Sequence, residues 1–205
     1  MANIGWMAPL GEDSLSLPVG KLVLPRGRII EVSGSRSSGR AVLIHAILGV
    51  ATRLGETCAI VDAADSWDPV SAAANGAGLE RILWVRCAGR SDHAIKAADW
   101  ILHAGGFGVV VLDLCEISPR VLRQIPLSWW YRFRNAIEHT STIFIVVADQ
   151  HTTGSCAARI LGLERVRLIW SGSDYDPLLA GIELTVVSRK PPTVETASCE
   201  ARLAG

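Results

Sequence analysis

Short apolar blocks alternate with longer stretches of helical spacing along most of this chain, and polar turns separate them. Ile29–Val32 reads as a buried strand. From Val42, apolar residues return at helical spacing (Leu43, Ala46, Ile47, Val50, Leu54) until Gly55 stops the pattern. Thr57–Val61 is a second strand, ending in Asp62. Pro69–Asn75 is Ala-rich and predicts a short helix, and Ile82–Val85 a strand. Ser91–Ala104 predicts a helix capped by Ser91 and stopped by Gly105, with Trp100 in its core face. Phe107–Leu112 has the continuous apolar character of a strand buried on both faces. A helix over Leu127–His139 and a strand over Thr142–Val147 complete the alternation.

Strands alternating with helices predict an α/β fold with a mostly parallel sheet flanked by helices. After Ala157 the pattern changes. Arg165–Trp170 and Ile182–Val187 are strand-like with no helix between them, and Ser171–Pro177 carries turn chemistry. A C-terminal antiparallel hairpin on the sheet edge is expected. Residues 1–23 read as a lead-in, with one helical turn near Glu12–Leu17, and residues 191–205 as a flexible, frayed tail.

The most telling stretch is RGRIIEVSGSRSSGRA, at 26–41. Gly34 and Gly39 bracket a loop between a strand and a helix. This is the layout of the phosphate loop GxxxxGK[ST], whose glycines let backbone N–H groups approach phosphate oxygens. Ser35, Arg36, Ser37 and Ser38 fill the loop. Arg40 stands where the lysine belongs, however, and Ala41 where a hydroxyl would hold Mg²⁺. Losing those two contacts costs roughly 3–6 kcal/mol, or about a hundredfold or more in nucleotide affinity. Arg40 can bind phosphate, but its planar fork is no neutral replacement for an ammonium. The plain alternative is a Gly/Ser turn that binds nothing.

Asp113 closes an apolar strand, as does Asp62. In open parallel sheets, ligands gather at strand C-termini, so both acids and the 34–41 loop belong to one rim. Asp113 would orient a magnesium-bound water in a phosphate-loop enzyme; otherwise it is a strand-end turn residue.

Composition narrows the class. The 205 residues carry zero formal net charge, so no global field advertises nucleic acid. No signal peptide or membrane-length apolar run is evident, and a cytoplasmic location is expected. Five scattered cysteines without a C-x-x-C pair read as reduced thiols, and no metal site is expected.

From Leu24 to Lys190 the sequence resembles the RecA recombinase family. LPRGRIIEVSGSRSSGRA is similar to LPxGRIxEIxGPExSGKT, and AIVDAADSWDP to FVDAEHALDP. VVVLD matches the second nucleotide motif, HTTGSCAARILGLERVRL the end of the DNA-binding loop and its following strand, and LTVVSRKPP the segment VKVVKNKxAPP. The resemblance implies a RecA-like core at 24–190, with a nucleotide site at Gly34–Ala41, Asp113 and Lys190 that takes ATP with Mg²⁺.

The departures fall on working parts. Ala64 occupies the position of the family's catalytic acid, a loss of about 10²–10⁴ in rate. Asp65 follows it and could act only if the loop shifted. Ser188 replaces the first basic residue of the KNK segment. The second DNA loop shrinks to the region of Gln150–Ser155, and the filament-forming arm has little counterpart in residues 1–20. Within the family this pattern resembles the ImuA group of a DNA-damage mutagenesis cassette. That likeness implies an SOS-response role in translesion synthesis, with weak or absent ATP binding and no catalytic residue. It also implies an inactive Y-family polymerase homologue of the ImuB kind as partner, with single-stranded DNA, RecA or a second copy as further partners. The alternative is an ATP-binding, single-stranded-DNA-binding recombination and repair protein.

Arg120, Arg123, Arg132 and Arg134 surround Trp129, Trp130 and Tyr131, where the family has its first DNA loop and the helix after it. Guanidinium and aromatic groups together suit DNA stacking, a protein interface, or an amphipathic helix with its aromatics in the core. Trp6, Trp67 and Trp100 are candidates for a second interface, with the core of its helix as the expected place of Trp100.

Overall fold

In the computed structural model, which describes residues 13–17, 22–173, 176–190 and 196–202, one sheet carries the chain. Its strands are β3 (Arg28–Gly34), β4 (Cys58–Asp62), β5 (Ile82–Arg86), β6 (Val109–Asp113), β7 (Ile143–Ala148), β8 (Arg159–Ser173), β9 (Asp176–Lys190) and β10 (Thr196–Arg202). They lie in the order β10-β9-β8-β3-β7-β6-β4-β5. The run from β8 to β5 is parallel, and β9 and β10 are antiparallel to their neighbours. The expected α/β architecture and its antiparallel C-terminal hairpin are both present, with strands longer than the apolar runs that predicted them.

Both faces of the sheet are covered. Ile30, Val32 and Ile60 meet α1 (Arg40–Arg53) and α2 (Pro69–Ala74) on one side. Ile29, Ala59 and Val61 meet α3 (Ser91–Ala104) and α5 (Leu127–Ile137) on the other. Alternate residues of each strand point to opposite faces, so a strand with both faces covered must be apolar at every step. The short helix α4 (Pro119–Leu122) leads into α5, and Ser118 caps it.

Three expectations need correction. The lead-in holds no helical turn at 14–16: β1 (Ser14–Ser16) pairs antiparallel with β2 (Val23–Pro25). Ser14-Leu15-Ser16-Leu17 alternates with a strand period, and Leu15, Leu17, Leu22 and Leu24 are all buried with the α1 side of the core. The tail contributes β10, whose backbone pairs along β9 from Thr196 to Arg202. Backbone pairing of small polar residues leaves little trace in an apolar pattern. Trp100 is not core but 74% exposed. It lies two residues from both Ala98 and Leu102, and so about 160° round the helix from each. Trp6 falls outside the described residues, as do the centre of the Ser171–Pro177 turn and the Cys199 side chain. Cys58, Cys87, Cys115 and Cys156 are free and buried, and burial pushes the Cys58 thiol up to about 12, which makes it inert.

Candidate functional site

The rim at the C-terminal ends of β3, β4, β6 and β7 encloses a cavity of about 510 Å³, lined in part by Ser37, Arg40, Ala41, Asp113 and Glu116. Gly34 ends β3 under tight contact. A side chain there would run into Ser38 Oγ and come within 2.8 Å of the Leu163 carbonyl oxygen. Ser35, Arg36 and Ser37 are exposed, and Ser38 turns inward with its N–H donating to the Ser35 carbonyl at 3.1 Å. Gly39, at φ 95°, is the residue before α1 and has no side chain to cap it. The loop and Asp113 thus converge as the sequence predicts.

The chemistry at the loop is internal. Arg40, the first residue of α1, is buried, and its guanidinium is paired with Asp149, just past β7. Ala41, exposed at the cavity wall, offers no hydroxyl. Arg36 reaches Glu116 at 3.0 Å in an exposed ion pair, which contributes little.

Asp113 and Asp62 lie side by side in register on β6 and β4. Asp113 accepts a hydrogen bond from the Cys115 N–H at 2.9 Å. Burial holds its carboxyl above the usual range, and the neighbouring Asp62 adds to that effect. Asp62 serves the loop after β4. Its carboxylate accepts from the N–H groups of Ser66 at 3.1 Å and Trp67 at 2.9 Å, and from Trp84 Nε1 at 3.3 Å. Ala64 packs against apolar neighbours on the α3 side. Asp65, at φ 58°, turns to Arg86 at 3.0 Å and the Ala88 N–H at 3.3 Å. It does not replace the missing acid.

Lys190 is drawn elsewhere. Its Nζ donates to the carbonyl oxygens of Ser155 at 3.0 Å and Ala157 at 2.5 Å. The neighbouring loop is tied down by Glu31, fully buried on β3. Its carboxylate accepts from His151 Nδ1 at 2.8 Å, the Thr152 N–H at 2.6 Å, the Thr153 N–H at 3.2 Å and the Thr153 hydroxyl.

The arginine–aromatic cluster divides. Trp130 is buried and stacks edge-to-face on Phe133 at 5.8 Å. Trp129 is half-buried against the same ring. Arg132 grips Asp99, and Arg134 lies over the Tyr131 ring at 5.0 Å. Arg120 and Arg123 remain exposed. Trp67 packs edge-to-face on Trp84 at 5.1 Å and lines the cavity, rather than standing out as an interface residue.

Two members of the site escaped sequence reasoning. Asp149 follows an apolar strand, as Asp62 and Asp113 do, and that shared position was the available signal. His45 reads as one residue of an apolar helix, yet it is buried and lines the cavity. Burial lowers its pKa, while Asp68 opposes the shift. Among the described residues no cluster of His, Cys, Asp and Glu could hold a metal ion, and no helix is long and apolar enough to cross a membrane.

Residues 6–121 match the family model of the RecA N-terminal domain. The chain is 37% identical over 113 residues to the protein RecA of Methylococcus capsulatus, covering 55% of this chain and 32% of that protein. It is 36% identical over 111 residues to protein RecA of Deinococcus radiodurans, covering 54% and 30%. For that of Laribacter hongkongensis the figures are 35% over 103 residues, covering 50% and 29%. The chain thus matches about a third of the length of these curated relatives.

Proposed function

We propose, for a chain that belongs to the RecA N-terminal domain family, that it is a non-catalytic RecA-like scaffold in DNA-damage mutagenesis, with residues 24–190 as its core. The observation that carries this reading is the state of Arg40. The residue standing where a phosphate-binding lysine belongs is buried and paired with the protein's own Asp149. With Ala41 beside it and Ala64 among apolar neighbours, the residues present do not fit ATP with Mg²⁺, and no hydrolytic step is assigned to them.

A core that keeps its sheet but lacks the working parts of the nucleotide site is suited to holding a partner. The partner on this reading is an inactive Y-family polymerase homologue of the ImuB kind. β5 ends the sheet, and Leu83 on it is 46% exposed. A strand offered by the partner would pair there through main-chain hydrogen bonds. The second reading is an ATP-dependent, single-stranded-DNA-binding repair protein. It is favoured by the exposed Arg120 and Arg123 and by the stacked Arg134–Tyr131 pair.

Salt separates the two. Binding of the polymerase homologue through strand pairing and apolar anchors should hold nearly constant between 50 and 200 mM salt, whereas DNA held by Arg120, Arg123 and Arg134 should weaken roughly 20- to 40-fold. Replacing Arg120, Arg123 and Arg134 with Ala should leave the polymerase homologue bound. Loss of that partner, with tight salt-dependent DNA binding by the unaltered chain, would favour the second reading.

A further inference from the structure

We infer that Asp149 is the residue that excludes polyphosphates from this site, by acting as a tethered anion on Arg40. The inference rests on the nucleotide site being degenerate, and it assigns the exclusion to a residue outside the phosphate loop. β7 lies next to β3 in the sheet, so the residue that follows β7 emerges beside the 34–41 loop. Asp149 is that residue, and its carboxylate holds the Arg40 guanidinium, whose side chain is 9% exposed.

A phosphate arriving at Arg40 must displace a carboxylate that is part of the same chain. A tethered competitor acts at high effective concentration and need not be tight to win. The tether is also short and fixed. From Gln150 the chain runs directly into His151–Thr153, which the buried Glu31 pins through four hydrogen bonds. Asp113, Glu116 and Asp68 add acidic groups to the same cavity wall and outnumber Arg165, the other arginine that lines it, so the wall gives a phosphate little for the displacement. Restoring the motif at positions 40 and 41 alone therefore leaves the site blocked, because a lysine at 40 meets the same carboxylate.

The test uses the intact chain, with tripolyphosphate and Mg²⁺-ATP as probes in calorimetry. Unaltered protein should bind both weakly. Asp149→Asn should tighten tripolyphosphate binding by roughly ten- to a hundredfold, the worth of one charge-assisted contact. Arg40→Gln combined with Asp149→Asn should return it to the starting level. Arg40→Lys with Ala41→Thr should gain ATP binding chiefly when Asp149→Asn is added. Asp149→Ser removes the same charge and serves equally if the Asn variant does not fold. Weak binding before and after loss of the carboxylate would overturn this inference alone. Tight Mg²⁺-ATP binding by the unaltered chain would overturn the degenerate-site reading itself.

Discussion

Arg132 on α5 holds the buried carboxylate of Asp99 on α3 through two hydrogen bonds, 2.6 Å from Nε and 2.9 Å from Nη2. The same bonds hold the Arg132 pKa above its ordinary value. A bidentate fork of this kind joins two helices at a fixed angle. Removing the guanidinium leaves buried Asp99 with His103 Nδ1, 3.3 Å away, as its remaining basic neighbour. Arg132→Ala is therefore expected to lower the melting temperature clearly more than Arg134→Ala, which ends only a stacking contact with Tyr131. Equal melting temperatures for the two variants in a thermal scan would remove the structural role given to Arg132.

Asp62 holds the loop that carries Ala64 and Trp67. Three donors converge on a carboxylate with no exposed surface. Hydrogen bonds to a charged group contribute about 1.5–3 kcal/mol each and do not simply add. Asp62→Ala is expected to destabilise the fold by about 3 kcal/mol or more in a urea titration, with altered tryptophan emission from the Trp67–Trp84 pair. A loss under about 1 kcal/mol would mean the loop holds itself without Asp62.

The pH dependence has two sides. Burial raises the Asp113 carboxyl, with Asp62 adding and Arg40 opposing. A raised acid stabilises the fold in its protonated form. That contribution is complete below the ordinary carboxylate value of 3.8 and fades as pH rises through the raised one. His45 has the opposite sign. Its lowered imidazole stabilises the fold above the ordinary value of 6.5, and the contribution is lost as pH falls through the lowered one. Asp113→Asn should flatten the decline on the alkaline side of its window, and His45→Leu should flatten the acid side. Melting curves taken across pH 3.5–8 check both, and an unchanged profile in either variant would remove that residue from the explanation.

The loop depends on glycine at two points for different reasons. Gly39 needs φ 95°, which costs an L-residue roughly 1–2 kcal/mol. Gly34 needs empty space beside Ser38 and the Leu163 carbonyl. Gly39→Ala should cost about that amount with the loop kept, whereas Gly34→Ala should cost more, because backbone must move. Chemical denaturation ranks them, and a larger loss at Gly39 would reverse the assignment.

The sheet and its flanking helices were legible because strands buried on both faces are apolar throughout, as Val109–Leu112 and Ile143–Val147 show. The phosphate loop was legible because its glycines sit at fixed spacing. β1 was missed although Leu15 and Leu17 alternate, because two turns of evidence in a Gly/Pro/Ser-rich stretch carry little weight. Trp130 and Trp129 look alike in sequence, yet one helical step of 100° separates core from rim. Asp149 and Glu31 escaped because their meaning lies in partners more than a hundred positions away, Arg40 and the 151–153 loop, and a linear pattern does not carry that pairing.

Mg²⁺-dependent ATP turnover by the intact chain, measured with and without single-stranded DNA, tests the proposed loss of catalysis most directly. Arg40 is held by Asp149, Ala41 offers no hydroxyl to the metal, and Ala64 offers no base to the attacking water. No phosphate release above background is expected in either condition. Turnover stimulated by single-stranded DNA and abolished by Asp113→Asn would contradict the scaffold reading.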